Sequence, residues 1–256
     1  MPNMYDVRFV GLDLAWSPRN TSGAVVLDWD GAIARPVAWD DALTDDAAIV
    51  AFVARTTGAG PALVAVDAPL VVPNETGSRP CDRAVSSAYG HAEAGARPVS
   101  RRSVAHMREE KLVALLAELG FQHSPTVRRQ VPVRQVVEVY PHPAMVELFG
   151  LTKTLKYKAC PERPYPLRWA ELGRLRDLLR SLSGYEPALE GGGLLDAADP
   201  HGRRGRTLKR LEDLLDACFC AYTALHIWYW GEMGYRLFGD LESGYILVPV
   251  RPADGP

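Results

Sequence analysis

The sequence predicts one α/β domain built on a mixed sheet, an antiparallel three-strand meander followed by parallel strands, flanked by helices and carrying helical insertions. Three observations lead there. Short runs of branched and aromatic residues alternate with stretches at helical spacing. The first three runs follow one another across turn-length gaps, whereas a helix separates the third from the fourth, which marks the change from antiparallel to parallel pairing. Two of the runs end in an aspartate, and open sheets keep their chemistry outside the carboxyl ends of strands.

The first strand is Val7-Arg8-Phe9-Val10 closing on Gly11-Leu-Asp13. Gly11 leaves room on one face for another backbone or a ligand, and Asp13 stands at the tip. Taken alone, Asp13 reads first as a turn or helix cap. The second and third strands, Gly23–Asp28 and Ala32–Trp39, are joined across Asp30-Gly31, a hairpin signal. Residues 45–57 have helical periodicity with Thr44 or Asp45 as the cap. Pro61–Leu70 is a short buried strand, and Pro69 ends its pairing so that Asp67 also lies at a tip.

Residues 73–103 read as a long loop rich in Gly, Pro, Ser and Arg, either a solvated connection or a functional loop offering Arg79 and Arg83 to a phosphate. Ser103–Gly120 has a helical apolar face of Met107, Leu112, Leu115, Leu116 and Leu119, so 73–120 is a loop-plus-helix insertion. Arg134–Tyr140 is another strand, with Glu138 near its end. His142, between Pro141 and Pro143, is a ligand, a base or a turn residue. Residues 144–205 form a second insertion. It is helical to 184 except for an interruption at 161–166, with Lys153, Lys156 and Lys158 around Tyr157 and a flexible connector at 183–205. Arg206–Tyr229 is the strongest helix, apolar on nearly all sides. Asp213 and Asp216, three apart, share a face that continues into the small residues Ala217, Cys220 and Ala224. A carboxylate at Asp216 needs a cation, either a metal or one of the nearby Arg206, Lys209 and Arg210. Gly244–Val250 is a last strand, at an edge or in a small added layer.

Composition narrows the function. With 256 residues, 47% of them hydrophobic, the chain has ample core for a single domain over 1–256. A net charge of −2 counts against bulk electrostatic binding to duplex DNA. No leader and no bilayer-length apolar run is seen, so a cytoplasmic location is expected. Four cysteines make no disulfide framework, and Cys218 and Cys220, two apart on a helix, read as buried thiols.

Asp13, Asp67, Glu138 and the Asp213/Asp216 pair thus come from three strands and a helix. Carboxylates brought together repel unless a divalent cation holds them. An all-oxygen set suits Mg²⁺ or Mn²⁺, and two such ions can activate a water and stabilise the leaving oxygen of a phosphodiester.

The order of elements resembles the RNase H-like fold, which includes ribonuclease H and the Holliday-junction resolvases. More closely, Gly11-Leu-Asp13-Leu-Ala15, Val66-Asp67-Ala-Pro-Leu70, Glu138-Val-Tyr-Pro141 and Asp213-Leu-Leu-Asp216-Ala217 resemble a bacterial family described as predicted RNase H-fold nucleases, domain of unknown function 429. The resemblance implies metal-dependent phosphodiester cleavage, with Asp13, Asp67, Asp213 and Asp216 as ligands; Glu138 or Asp216 is left for the further catalytic role, and the basic residues Arg79, Arg83 and Lys156 are read beside it as contacts to a nucleic-acid substrate. In one respect the chain departs from ribonuclease H: its helix over 45–57 has no glutamate, which favours the resolvase-like arrangement. Two other readings stand beside it. A scaffold could keep the fold without catalysis. An actin-like ATP phosphotransferase would need a glycine-rich phosphate loop, whereas Leu14 and Ala15 follow Asp13.

Overall fold

The computed structural model describes residues 7–15, 20–103 and 108–252. Its strands are β1 (Arg8–Asp13), β2 (Ser22–Trp29), β3 (Ile33–Leu43), β4 (Ala62–Asp67), β5 (Gln122–His123), β6 (Arg134–Glu138), β7 (Ala188–Leu189), β8 (Tyr235–Asp240) and β9 (Gly244–Pro249). Its helices are α1 (Asp46–Thr57), α2 (Pro80–Tyr89), α3 (Arg108–Glu118), α4 (Pro141–Phe149), α5 (Tyr165–Ser181), α6 (Gly192–Asp196) and α7 (Gly205–Trp230).

Seven strands form one sheet in the order β5-β6-β4-β1-β2-β3-β7. β1, β2 and β3 pair antiparallel, and β4 and β6 add in parallel beside β1. This is the expected mixed sheet and is consistent with the RNase H-like fold. The meander turns at Asp30, whose Oδ1 accepts from the backbone N–H groups of Ala32 and Ile33 at 2.9 and 2.8 Å. α1 is capped by Asp45, whose Oδ1 accepts from Ala48 N at 2.8 Å.

Alternation along the strands divides the core. Val10, Leu12, Val26, Val64 and Val136 pack under α1 and α3. Phe9, Val25, Leu27, Leu63 and Val137 pack against α7 and the helices after β6. α7 lies very close to the sheet, because β1 and β2 present glycines to it. A Cβ on Gly11 would stand 2.0 Å from Ala217 O and 2.2 Å from Ala221 N, and one on Gly23 would stand 2.5 Å from Asp213 O. The room expected beside Gly11 is filled by helix backbone.

Three expectations need correction. The 73–103 segment is not structureless. Cys81, Val85 and Tyr89 recur every fourth residue and bury α2 against Ile246 and Val248 of the β8–β9 hairpin. The interruption of the 144–184 helical region is longer than expected and begins earlier. α4 stops at Gly150, in a left-handed conformation, and α5 resumes at Tyr165, so Lys153, Lys156 and Lys158 lie on non-helical chain. Residues 183–205 are no loose connector, since β7 pairs in parallel with β3 and Leu189, Leu194 and Leu195 are buried. Leu112 and Leu116 bury the inner face of α3; Met107 and the first turn expected there lie outside the described residues. Among the described residues no helix is long and apolar enough to cross a membrane.

Candidate functional site

A cleft of about 440 Å³ opens beyond the carboxyl ends of β1, β4 and β6. Asp13 and Asp67 are register partners on adjacent parallel strands, each the last residue of its strand, and both line the cleft. Residues opposite one another in a parallel pair project from the same face, which here is the face covered by α7. The first turns of α7 then bring Lys209 and Glu212 to the cleft lining, with Asp213 and Asp216 close enough to act on Asp13.

Two lysines pair with Asp13, Glu212, Asp213 and Asp216. Lys158 Nζ lies 3.7 Å from Asp13 Oδ2 and 3.5 Å from Glu212 Oε1, and it also bonds Asp216. Tyr157 donates its hydroxyl to Asp216 Oδ1 at 2.6 Å. Lys209 pairs with Asp213 and stands 3.3 Å from Glu212. Arg168 holds the other oxygen of Glu212 at 3.4 Å. Asp216 therefore has its cation in Lys158, from a segment distant in sequence, rather than in the residues just before it on α7.

Burial sets the electrostatics. Loss of water raises the pKa of Asp13, and Asp216 raises it further, against the pull of Lys158. Asp67 lies well above the usual carboxylate range through burial and then the Asp13 charge. Asp213 is pushed up to about 9, again by burial first and Asp13 second. Lys158 is held well above its ordinary value, because Asp216 and Asp13 outweigh the desolvation that opposes its charge. Asp13 Oδ2 is buried and has no hydrogen-bond partner.

Glu138 reaches the cleft from the other side. In the register, Leu12, Val66 and Glu138 form one row across the sheet, next to the row holding Asp13 and Asp67. Its carboxylate accepts from Arg79 Nη2 at 2.6 Å, Arg79 Nη1 at 2.9 Å and Leu70 N at 2.7 Å. Arg79 turns its other edge to Asp82, with Nη2 at 2.8 Å and Nε at 3.1 Å from Oδ1. The guanidinium is 2% exposed. Arg79 is thus a buried clamp joining α2 to β6, and its donors are spent on protein carboxylates and on Val71 O. Arg83, expected beside it at the substrate, is exposed, donates to Ser78 O, and is absent from the cleft lining. Lys156 is also outside the lining and pairs with Glu93. Among the described residues, the cations that line the cleft are Arg97, Lys158 and Lys209, together with the buried Arg79.

His142 lines the cleft as well. Its Nδ1 is 2.8 Å from Thr154 Oγ1, and its ring lies between those of Tyr140 and Tyr157, with centroids at 5.5 and 5.9 Å. Burial, then Lys158, lowers its pKa to about 4, so the imidazole is neutral at physiological pH.

Sequence reasoning singled out Asp13, Asp67, Asp213 and Asp216, and the fold gathers them at one end of the sheet. It passed over Glu212, and it chose Lys156 and Arg79 where the fold presents Lys158 and Arg97. In the non-helical stretch Lys156 and Lys158 differ by two positions, so no periodicity separates them. Arg97 in Gly95-Ala-Arg-Pro98 carries no signal beyond its charge.

The hard-oxygen donor set, with an Asp13 oxygen that makes no hydrogen bond and meets Lys158 only at 3.7 Å, fits a divalent cation held by Asp13, Asp67 and Asp213. Among the described residues, no three acidic, histidine or cysteine side chains are already drawn together to ligate one ion. The physical reason is visible in the lysines, since ammonium groups hold the places between carboxylates that would otherwise repel. A cation would have to take over Lys158's contact with Asp13.

The model of a family described as "Protein of unknown function (DUF429)" matches residues 11–242. No curated protein and no solved structure matches the chain.

Proposed function

The chain belongs to the DUF429 family of proteins of unknown function, a description that assigns no chemistry, and we propose from the site itself that it is a divalent-metal-dependent phosphodiester hydrolase acting on nucleic acid. The observation that carries this reading is the in-register pair Asp13 and Asp67 beside Asp213, buried together, with Asp13 Oδ2 lacking a hydrogen bond and held by the Lys158 charge at 3.7 Å. When bound, Mg²⁺ or Mn²⁺ would polarise a phosphoryl oxygen and lower the pKa of a water.

The chain's own residues do the rest. Lys158 and Lys209, at the edge of the acidic cluster, and Arg97, exposed on the cleft wall, supply positive charge to the phosphate. Asp216 has both oxygens engaged by Tyr157 and Lys158 and is fully buried, so it positions Lys158 rather than ligating. Glu138, held by Arg79, positions the wall of the cleft instead of touching substrate. The four free cysteines accord with a reducing, cytoplasmic setting.

The test is thermal melting and turnover of a generic phosphodiester by wild type and Asp13→Asn, each in EDTA and in Mn²⁺. Wild type should gain about 2.7 kcal/mol at a hundred times the metal's dissociation constant, and Asp13→Asn should lose both that gain and the turnover. A second reading has one observation behind it: the lysines already pair with acids of the cluster, as a metal-free binding protein would require. A wild type that ignores Mn²⁺ and hydrolyses nothing would decide for it.

A further inference from the structure

The cleft lining is chemically mixed. It holds the carboxylates and lysines. It also holds side chains that offer no charge: Val99 and Pro98 from the loop after α2, Ile246 from β9, Val139 beyond β6, and the rings of Tyr140 and His142. The apolar walls come from outside the sheet. α2 and the β8–β9 hairpin bury each other through Cys81, Val85, Ile246 and Val248, and the Asp82 carboxylate that grips Arg79 also accepts from Val99 N at 3.3 Å. The buried clamp therefore fixes this wall to the sheet, and the insertion walls one side of a half-open cleft. Its volume lies in the range of small-ligand pockets, roughly 300–1,000 Å³.

We propose that this pocket takes a phosphate ester bearing a single flat ring of nucleobase size, with the ring against the Tyr140, Pro98, Val99 and Ile246 side chains and the phosphate toward Lys158 and Arg97. The proposal rests on the hydrolase reading only for what happens at the phosphate. Its chemistry follows from the lining. A flat ring gains from aromatic and aliphatic faces regardless of its identity. His142, with Nδ1 taken by Thr154, has Nε2 left for a polar ring edge. Either a free nucleotide or the terminal nucleotide of a single strand supplies this chemistry.

The experiment is calorimetric titration of the full chain with 5′-AMP, ribose 5-phosphate and a single-stranded trinucleotide, in Mn²⁺ and in EDTA. Wild type is compared with Ala96→Trp, which fills the pocket, and Tyr140→Leu, which removes a ring, each checked for an unchanged melting transition. We expect 5′-AMP to bind at least about tenfold more tightly than ribose 5-phosphate in wild type, the scale of one stacked base. Both variants should lose that preference and keep the sugar phosphate's affinity. Equal affinities in wild type, or a preference untouched by both variants, would overturn the pocket. If both variants lose the preference for 5′-AMP, tighter binding of free 5′-AMP identifies a soluble nucleotide as the source, and tighter binding of the trinucleotide identifies a strand terminus. A ring preference that persists in EDTA and in Asp13→Asn supports the pocket even where no hydrolysis is found, so the two readings fail separately.

Discussion

Arg79 meets Glu138 through both of its terminal nitrogens, at 2.6 and 2.9 Å, and uses its remaining edge on Asp82. Three charged groups are thereby buried in a closed arrangement. Arg79→Met should leave two carboxylates uncompensated and lower stability by about 3–5 kcal/mol. Arg79→Lys should recover only part of this, since an ammonium cannot fork to two carboxylates at once. Urea unfolding midpoints measure both.

Lys158→Met tests the lysine's part in the acidic cluster. Lys158 is 28% exposed, so the loss should be smaller than for a fully buried pair, about 2–3 kcal/mol. If a divalent ion takes the same place, Mn²⁺ should restore more stability to this variant than it adds to wild type. Melting curves with and without metal read the difference.

Stability should depend on pH in a stated direction. Burial raises Asp213 to about 9 from an unfolded value of 3.8, so the folded state binds a proton that the unfolded state has released. That contribution is complete below pH 3.8 and disappears as pH rises through about 9. The metal-free protein should therefore lose stability between pH 7 and 9, by at most about 1.4 kcal/mol per pH unit for each such proton. Asp213→Asn should flatten the slope. Chemical denaturation across that range checks the sign.

Gly11→Ala should be costly although alanine is small. The added Cβ would meet backbone atoms of α7 at 2.0 and 2.2 Å, and neither can rotate away. A loss of about 3 kcal/mol, the upper part of the overpacking range, is expected. An unchanged melting temperature would mean that α7 is not seated on β1 as described.

How much was legible in the sequence can be judged residue by residue. Asp13 and Asp67 were readable because a strand closed by glycine or proline places its last acid at a tip, and Asp213 and Asp216 because a three-residue spacing puts both on one helix face. Glu138 satisfied the same strand-end rule, yet its row in the register differs by one from that of Asp67. Parity between strands is a property of pairing, and Arg134–Glu138 is buried along most of its length, so no alternation revealed it. α2 was hidden by a Gly-, Pro- and Ser-rich neighbourhood, although Pro80 at its first position and apolar residues every fourth place were present. Lys158 was not distinguishable from Lys156, because their partners are supplied by α7 and by the Glu93 turn, more than fifty residues away in sequence in each case.

The glycines under α7 have one more consequence. Glu212, Asp213 and Asp216 belong to a helix of 26 residues that is buried for most of its length and seated directly on β1 and β2. Amides in such a helix exchange with solvent only when the whole cooperative unit opens. The acidic side of the cleft should therefore belong to the slowest-exchanging region of the molecule, with a geometry that persists for as long as the domain stays folded. Any motion that admits or releases a ligand falls to the walls, the α2 insertion and the β8–β9 hairpin, which can loosen at a local cost while the acidic side keeps its shape.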